Sequence, residues 1–331
     1  MKLILSTSNI MNGGSSIRRT PTQKSNTELV SSFRSNFAAH SRPANGNGHI
    51  DGETKQQART SYKAWTHVAD DGRRELEIPR LDFEHSALQE EREAYDITVK
   101  LFYLPGAPVE NRTTQTREAV NLVLKELHMP SIDLLIISFP GIYFDEEEDC
   151  PDKLSTRGPV ESSPEPAEAQ IETWKTLEAL QQEGVVKKLG IAEFGHDRLA
   201  AFLDKTTTKP SVDQINLRDC CSVPKNLLTL AKSRNIELLV HNDSSNVLPR
   251  GTLRELLGPG EQGAGVLTEP TKTGDKRKSL HGEETRSNRH ADADGLRGEV
   301  QPLWVVKYTA VVKNRGVVEN KGYFAVAELS G

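Results

Sequence analysis

Along this chain, short apolar runs of strand length alternate with segments whose apolar residues recur at helical spacing. Leu3 to Ser8, Ile97 to Leu104, Ile132 to Phe139, Val185 to Ile191, Val212 to Leu217 and Ile236 to His241 are rich in Ile, Val and Leu and lie between turn or polar residues. Runs of that length and bounding predict buried strands. Between them, Ala119, Leu122, Val123 and Leu127 fall at i, i+3, i+4 and i+8. Leu199, Phe202 and Leu203, and then Leu227, Leu230 and Ala231, fall at i, i+3 and i+4. Each set makes one apolar helix face. Alternation of the two patterns from residue 97 to 241 predicts a parallel sheet with helices packed on it, because parallel strands need crossover connections. Roughly six to eight such units predict an α/β fold of the TIM-type (β/α)8 barrel; the same alternation also allows an open doubly wound sheet.

Three polar tracts interrupt this pattern: residues 40–59, 145–169 and 259–300. The first is HSRPANGNGHIDGETKQQAR, the second opens on Asp145-Glu146-Glu147-Glu148-Asp149, and the third carries Lys276-Arg277-Lys278. Their apolar content is too low to offset the entropy of ordering, so they are expected to be disordered loop insertions within one domain spanning 1–331. A chain of 331 residues with 35% hydrophobic residues is long enough to bury a sizeable core around them.

Charge and cysteine content narrow the class of function. Lys plus Arg number 42 against 47 Asp plus Glu, a formal net charge of −5. Nothing in that balance attracts nucleic acid or an anionic membrane. Cys150, Cys220 and Cys221 are too few for a secreted disulfide framework and too poorly spaced for zinc, so no metal is expected and a reducing cytoplasm fits best. The N-terminal apolar run Leu3-Ile4-Leu5 is too short for a signal-peptide core, and no later run reaches the length of a membrane span.

The chemistry of a barrel sits at the C-terminal ends of its strands. There, Ser131 to Pro140 (SIDLLIISFP) resembles the fourth-strand motif DLLLIHWP of aldo-keto reductases. Trp174 to Phe194 (WKTLEALQQEGVVKKLGIAEF) is similar to their W..ME.L...GKVRAIGVSNF, and Pro210 to Asn216 (PSVDQIN) to their P.VNQVE. The resemblance implies carbonyl reduction, in which a tyrosine made acidic by a lysine protonates the substrate oxygen. An aspartate pairs with that lysine, a histidine orients the substrate, and NADPH supplies hydride. Several of those positions are altered here. Lys100 matches the lysine, but Ser138 stands where the histidine belongs. No aspartate and tyrosine at the family's spacing precede Lys100; Tyr62 lies in the right region without an aspartate partner. The pair that holds the nicotinamide carboxamide corresponds to Ala192-Glu193, and the aromatic that stacks on the ring to His241. Lys100 and Ser138 are therefore read as vestigial, with no catalytic residue assigned. Gln214, Lys313, Arg315 and Lys321 are remnants of a cofactor site, and residual NADP(H) binding is the most that the resemblance leaves.

A second resemblance reaches further. Leu5 to Gly13 (LSTSNIMNG), Gln214 to Pro224 (QINLRDCCSVP), Ile236 to Asp243 (IELLVHND), Pro302 to Tyr308 (PLWVVKY) and Val312 to Tyr323 (VKNRGVVENKGY) resemble LQTGNLLNWG, VNLASCCVMP, IQLLTHND, PLWLLRY and VKSRGIIKSKGY. These belong to the regulatory subunits of glutamate-cysteine ligase, a divergent branch of the same reductases. This resemblance implies a partner in place of a substrate: the ligase catalytic subunit, bound as a heterodimer in the cytoplasm, with no required cofactor. An active NADPH-dependent reductase and a dinucleotide-sensing binding protein are the competing expectations.

Cys220 and Cys221 precede Pro224, a residue suited to the first turn of a helix. A thiol near a helix N-terminus has its pKa depressed, which makes the pair interface or redox candidates. Their other reading is as small residues packed at the barrel mouth. The acidic run at 145–149 and the basic triplet at 276–278 are read as solvated loop.

Overall fold

The computed structural model describes residues 1–12, 25–41, 60–69, 74–144, 162–217, 222–243, 246–249, 251–260, 262–268 and 295–331. All six strands expected from the apolar runs are present, within a residue or two at each end. They are β1 (Lys2–Ser6), β4 (Tyr95–Tyr103), β5 (Ile132–Ser138), β6 (Val186–Ala192), β7 (Val212–Ile215) and β8 (Glu237–Val240). Four strands did not show in the pattern: β2 (His67–Val68), β3 (Glu75–Ile78) and the two longest, β9 (Glu299–Val312) and β10 (Val317–Ser330). The helices are α1 (Ser25–Ser41), α2 (Arg112–Leu127), α3 (Ala167–Gln182), α4 (His196–Lys205), α5 (Lys225–Ser233) and α6 (Thr252–Leu257).

The fold class is α/β. Strands β4 to β8 pair in parallel with a helix between each successive pair, the unit from which an α/β barrel is built. The ten strands form one sheet in the order β2-β3-β1-β10-β9-β4-β5-β6-β7-β8, and among the described residues no ladder joins β2 to β8. The departure from eight uniform units comes from the β9–β10 hairpin. It lies between β1 and β4 and pairs antiparallel with both, so β1 runs opposite to the β4–β8 set. A tight turn can join only antiparallel neighbours, and a hairpin of 14-residue strands supplies enough ladder to hold that place.

Both faces of the sheet are buried, and strand alternation divides the core in two. On one face Ile97, Val99, Leu101, Val306, Tyr308 and Phe324 pack with Ala119 and Val123 of α2, and with α3 to α5 beyond. On the other, Leu3, Leu5, Phe102, Val305 and Ala325 pack under Phe33 and Phe37 of α1 and Leu253, Leu256 and Leu257 of α6. Alternation is blurred in β5 and β6 because a parallel strand is apolar on both sides. Gly322 of β10 shows how tight this packing is: a Cβ there would meet the Tyr308 hydroxyl at 2.3 Å and the Ser8 carbonyl oxygen at 2.6 Å.

Folded structure reaches further into the polar tracts than their composition predicts. His40 and Ser41 close α1, residues 167–169 open α3, and residues 262–268 and 295–300 are ordered, with Val266 and Leu267 buried and Leu267 bridged to Leu296. Each of these ends carries an apolar anchor or a helix continuation that an average over the tract conceals. Most of the three tracts, including the acidic run and the basic triplet, lies outside the described residues, as do Cys150, Cys220 and Cys221. No helix among the described residues is long and apolar enough to cross a membrane.

Glu126 is an acid buried in the α2 face, and among the described residues no cation pairs with it. Glu126 accepts the Tyr308 hydroxyl at 3.2 Å. Burial raises its carboxyl to about 7 from 4.5, against hydrogen bonds from Tyr308 and Ser86 that lower it. The folded state thus holds the proton more tightly than the unfolded one. Stability from this group is full below about pH 4.5 and is lost as pH rises toward 7. A shift of that size amounts to about 3 kcal/mol. In chemical denaturation, Glu126→Gln is expected to gain on the wild type by about that amount between pH 4.5 and pH 8. A difference between the two that stays flat across this range would contradict the assignment.

Candidate functional site

The charged groups of the sheet converge at one place. Lys100 lies on β4, on the face shared with Phe102, and its register partner on β9 is Lys307. Residues past the C-terminal ends of β6 and β8 complete the group: Glu193 directly after β6, and His241 and Asp243 after β8. Gln214 comes from β7. Lys100 Nζ donates to Gln214 Oε1 at 2.9 Å and to Asp243 Oδ2 at 3.1 Å. Lys307 Nζ donates to the other oxygen, Asp243 Oδ1, at 2.7 Å. Asp243 is therefore a carboxylate shared by two ammonium groups. The Lys100 and Asp243 side chains are 4% and 8% exposed, while Lys307 is 23% exposed and marks the side nearest solvent.

Electrostatics follow from that placement. Burial pushes the Lys100 ammonium down, and the attraction of Asp243 and Glu193 opposes it. For Asp243, burial alone would raise the carboxyl, but Lys100 and Lys307 outweigh it and hold the group well below the ordinary carboxylate range. The Lys100 side chain also lies 5.1 Å from the centre of the Phe102 ring, a cation–π contact within the apolar wall.

Glu193 and His241 form the second half of the site. Glu193 has φ +70°, in the left-handed region that a side chain disfavours by roughly 1–2 kcal/mol. Its backbone N–H donates to the Gln214 carbonyl oxygen at 2.8 Å, and its Oε2 accepts the Phe144 backbone N–H at 2.9 Å. The Asp243 backbone N–H donates to His241 Nδ1 at 3.1 Å, which assigns the proton of a neutral ring to Nε2. His241 Nε2 is 2.6 Å from Glu193 Oε1, close in distance but not aligned as a hydrogen bond.

The structure gathers some of the residues singled out in the sequence and separates others. Lys100, Gln214, Glu193 and His241 meet. Ser138 ends β5 in register with Phe102, which puts it on the Lys100 face, and it is buried. Lys313, Arg315 and Lys321 do not join them. Lys313 and Arg315 occupy the β9–β10 turn, beside the N-terminal end of β4, where Lys313 Nζ donates to the Glu93 carbonyl oxygen and Arg315 pairs with Glu90. Lys321 pairs with Glu28 of α1 at 2.7 Å. Tyr62 lies in a short 3-10 turn within the core under α1. Among the described residues, no tyrosine hydroxyl stands within hydrogen-bond distance of Lys100. Asp243 and Lys307 were missed by the motif comparison. Their one sequence signal is a charged residue in an apolar context: a lysine inside Trp304 to Tyr308, and an acid just past a strand.

These residues do not fit NADP(H) as the resemblance would hold it. At the nicotinamide end, the Glu193 carboxylate already takes the Phe144 N–H, and the Gln214 amide oxygen is taken by Lys100. The three cations assigned to the phosphate are dispersed, two of them at the opposite end of the parallel strands. Nor does any group of three or more His, Cys, Asp or Glu among the described residues have the placement to hold a metal ion.

The aldo/keto reductase family model matches residues 83–254. Among curated proteins, the chain is similar to the putative glutamate--cysteine ligase regulatory subunit of Schizosaccharomyces pombe, 26% identical over 242 residues, covering 71% of this chain and 72% of that protein. It is similar at 26% identity over 242 residues to the glutamate--cysteine ligase regulatory subunit of Homo sapiens, covering 73% of this chain and 69% of that one. Among solved structures, a Bombyx mori aldo-keto reductase in complex with NADP matches at 22% identity with a TM-score of 0.31, covering 44% of this chain and 40% of that chain. The chain thus spans less than half the length of that solved structure.

Removing the shared carboxylate leaves the buried Lys100 ammonium and the partly exposed Lys307 ammonium without their common counter-charge. Asp243→Asn is expected to cost about 3–5 kcal/mol in urea unfolding. Lys100→Met should cost less, because Asp243 keeps Lys307. Equal losses, or a loss of under about 1 kcal/mol for Asp243→Asn, would show that the carboxylate does not hold the cluster together.

Proposed function

The chain belongs to the aldo/keto reductase family, and from that premise we propose that it works as a non-catalytic regulatory subunit of glutamate-cysteine ligase. On this reading it binds the ligase catalytic subunit as a heterodimer in the cytoplasm. It lowers the apparent glutamate requirement of that enzyme and weakens feedback by glutathione. The partner half of the reading is supported by the likeness to the yeast and human regulatory subunits over more than two thirds of the chain.

One observation carries the non-catalytic half. Among the described residues no tyrosine hydroxyl stands within hydrogen-bond distance of Lys100, the amine that a reductase uses to acidify its tyrosine; the side chains it donates to are Asp243 and Gln214. Proton delivery to a developing alkoxide needs a donor within reach, about 2.6–3.2 Å between heavy atoms. Lys100 has no tyrosine to acidify among the described residues, and Ser138 is a poor substitute for an imidazole that orients a carbonyl. A dinucleotide has no step in this reading. Regulation itself needs only differential affinity: a subunit that binds the competent form of its partner more tightly shifts the population toward that form.

The reading is tested by purifying the ligase catalytic subunit with and without this chain and measuring the glutamate dependence of the ligase. A several-fold lower apparent KM for glutamate, with weaker inhibition by glutathione, is the expected result. An unchanged KM together with no co-purification would refute the reading. Sustained carbonyl-dependent oxidation of NADPH by the chain alone would restore the reductase alternative.

A further inference from the structure

The parallel run of the sheet ends at β8, and among the described residues no strand pairs with its outer side. Edges of parallel sheets are normally covered, and exposed edges are normally blunted by proline, by a bulge or by inward charge. Here the strand is Glu237-Leu-Leu-Val240, with none of these devices in its interior. The ladder to β7 uses the Glu237 N–H, donating to the Ser211 carbonyl oxygen at 2.9 Å, and the His241 N–H, donating to Ile215 at 3.1 Å. Leu238 and Val240 consequently point their N–H and C=O groups outward. Leu238 packs against the α2–α5 core, so Val240, two residues on, emerges on the same face. It is 61% exposed, and Leu228 of the adjoining α5 is 47% exposed.

The charge beside this edge decides what it can accept. Helix α5 and the residue after it carry Lys225, Lys232 and Arg234, all exposed, and no acid. A second copy of the chain adding its own β8 about a two-fold axis normal to the sheet would place two such cationic helices side by side, which like-charge repulsion opposes. An extended segment with apolar residues at alternate positions and Asp or Glu flanking them would satisfy the outward backbone groups, cover Val240 and Leu228, and match the α5 charge.

We propose that the outer edge of β8, with the exposed side of α5, is the docking surface for such an acidic extended segment of the partner protein. The proposal rests on the reading that the chain acts through a protein partner, and it locates the contact. Strand β8 runs directly into His241 and Asp243, so a segment added to this edge abuts the buried charge cluster.

Two variants keep the fold and alter the edge. Val240→Pro removes an outward N–H without touching a β7–β8 hydrogen bond, and Val240→Glu puts a charge against the acidic segment. A third, Lys225→Glu with Lys232→Glu, reverses the α5 charge. Val317→Glu, exposed at 55% on β10, is the remote control. Each is titrated against the purified ligase catalytic subunit, with circular dichroism and melting to confirm folding. The edge and charge variants are expected to bind at least about tenfold more weakly, with the control unchanged. If folded Val240→Pro, Val240→Glu and the double charge reversal bind like wild type, the surface is wrong while the regulatory reading stands. If wild-type chain does not bind the catalytic subunit, both fall. Wild-type self-association that Val240→Glu abolishes would mean that the edge serves a second copy, and would overturn the proposed occupant.

Discussion

The arrangement of the charged site depends on one carboxylate shared by two lysines. Asp243 reaches Lys100 with one oxygen and Lys307 with the other, and so fixes the segment after β8 onto β4 and β9 at once. A buried ion pair of this kind yields little net stability over an apolar replacement, because desolvation consumes most of the attraction. Its effect is on geometry. With both oxygens taken, the carboxylate has one position, and Gln214, His241 and Glu193 are ordered around it by single hydrogen bonds or close contacts. Leaving any member charged and unpaired would cost far more than the pair gains, so the group is held together as a unit.

The hairpin β9–β10 makes this possible. It carries Lys307 into register with Lys100 and separates β1 from the parallel strands. Its alternating side chains serve two cores, with Val305 under α1 and α6 and Val306 and Tyr308 under α2. The same strand therefore delivers a cation to the buried site on one face and a tyrosine to the buried Glu126 on the other. The site on one face and the α2 packing on the other are coupled through a rigid element that cannot slip by one residue without exchanging the two faces.

A reductase mouth must hold a tyrosine beside its lysine and leave room for a dinucleotide. In this chain no tyrosine hydroxyl among the described residues stands beside the lysine, the residues at the nicotinamide end hydrogen-bond one another, and the cations assigned to the phosphate lie elsewhere. Among the described residues, the outward backbone groups of β8 at the sheet edge have no ladder partner. That shift, from a cavity to a surface, is what the proposed regulatory role and the proposed docking edge share.

The sequence by itself determined the parallel half of the fold. Runs such as Ile132 to Phe139 and the helix faces at Ala119 to Leu127 depend on neighbours close in the chain, and local periodicity reports them faithfully. It also singled out Lys100 and Gln214 as matching positions and Glu193 and His241 as altered ones, because each lies in a motif with fixed spacing from a strand. It could not place β9 and β10, whose partners β1 and β4 are some 200 to 300 residues away, nor show that polar tracts conceal anchors such as Leu267 and Leu296. Only the tertiary structure decided that Asp243 replaces the absent acid and that Lys313 and Arg315 lie at the wrong end for a cofactor. The reason is physical: a strand announces itself through its own residues, whereas pairing order and buried ion pairs are set by which distant surfaces meet once the chain has collapsed.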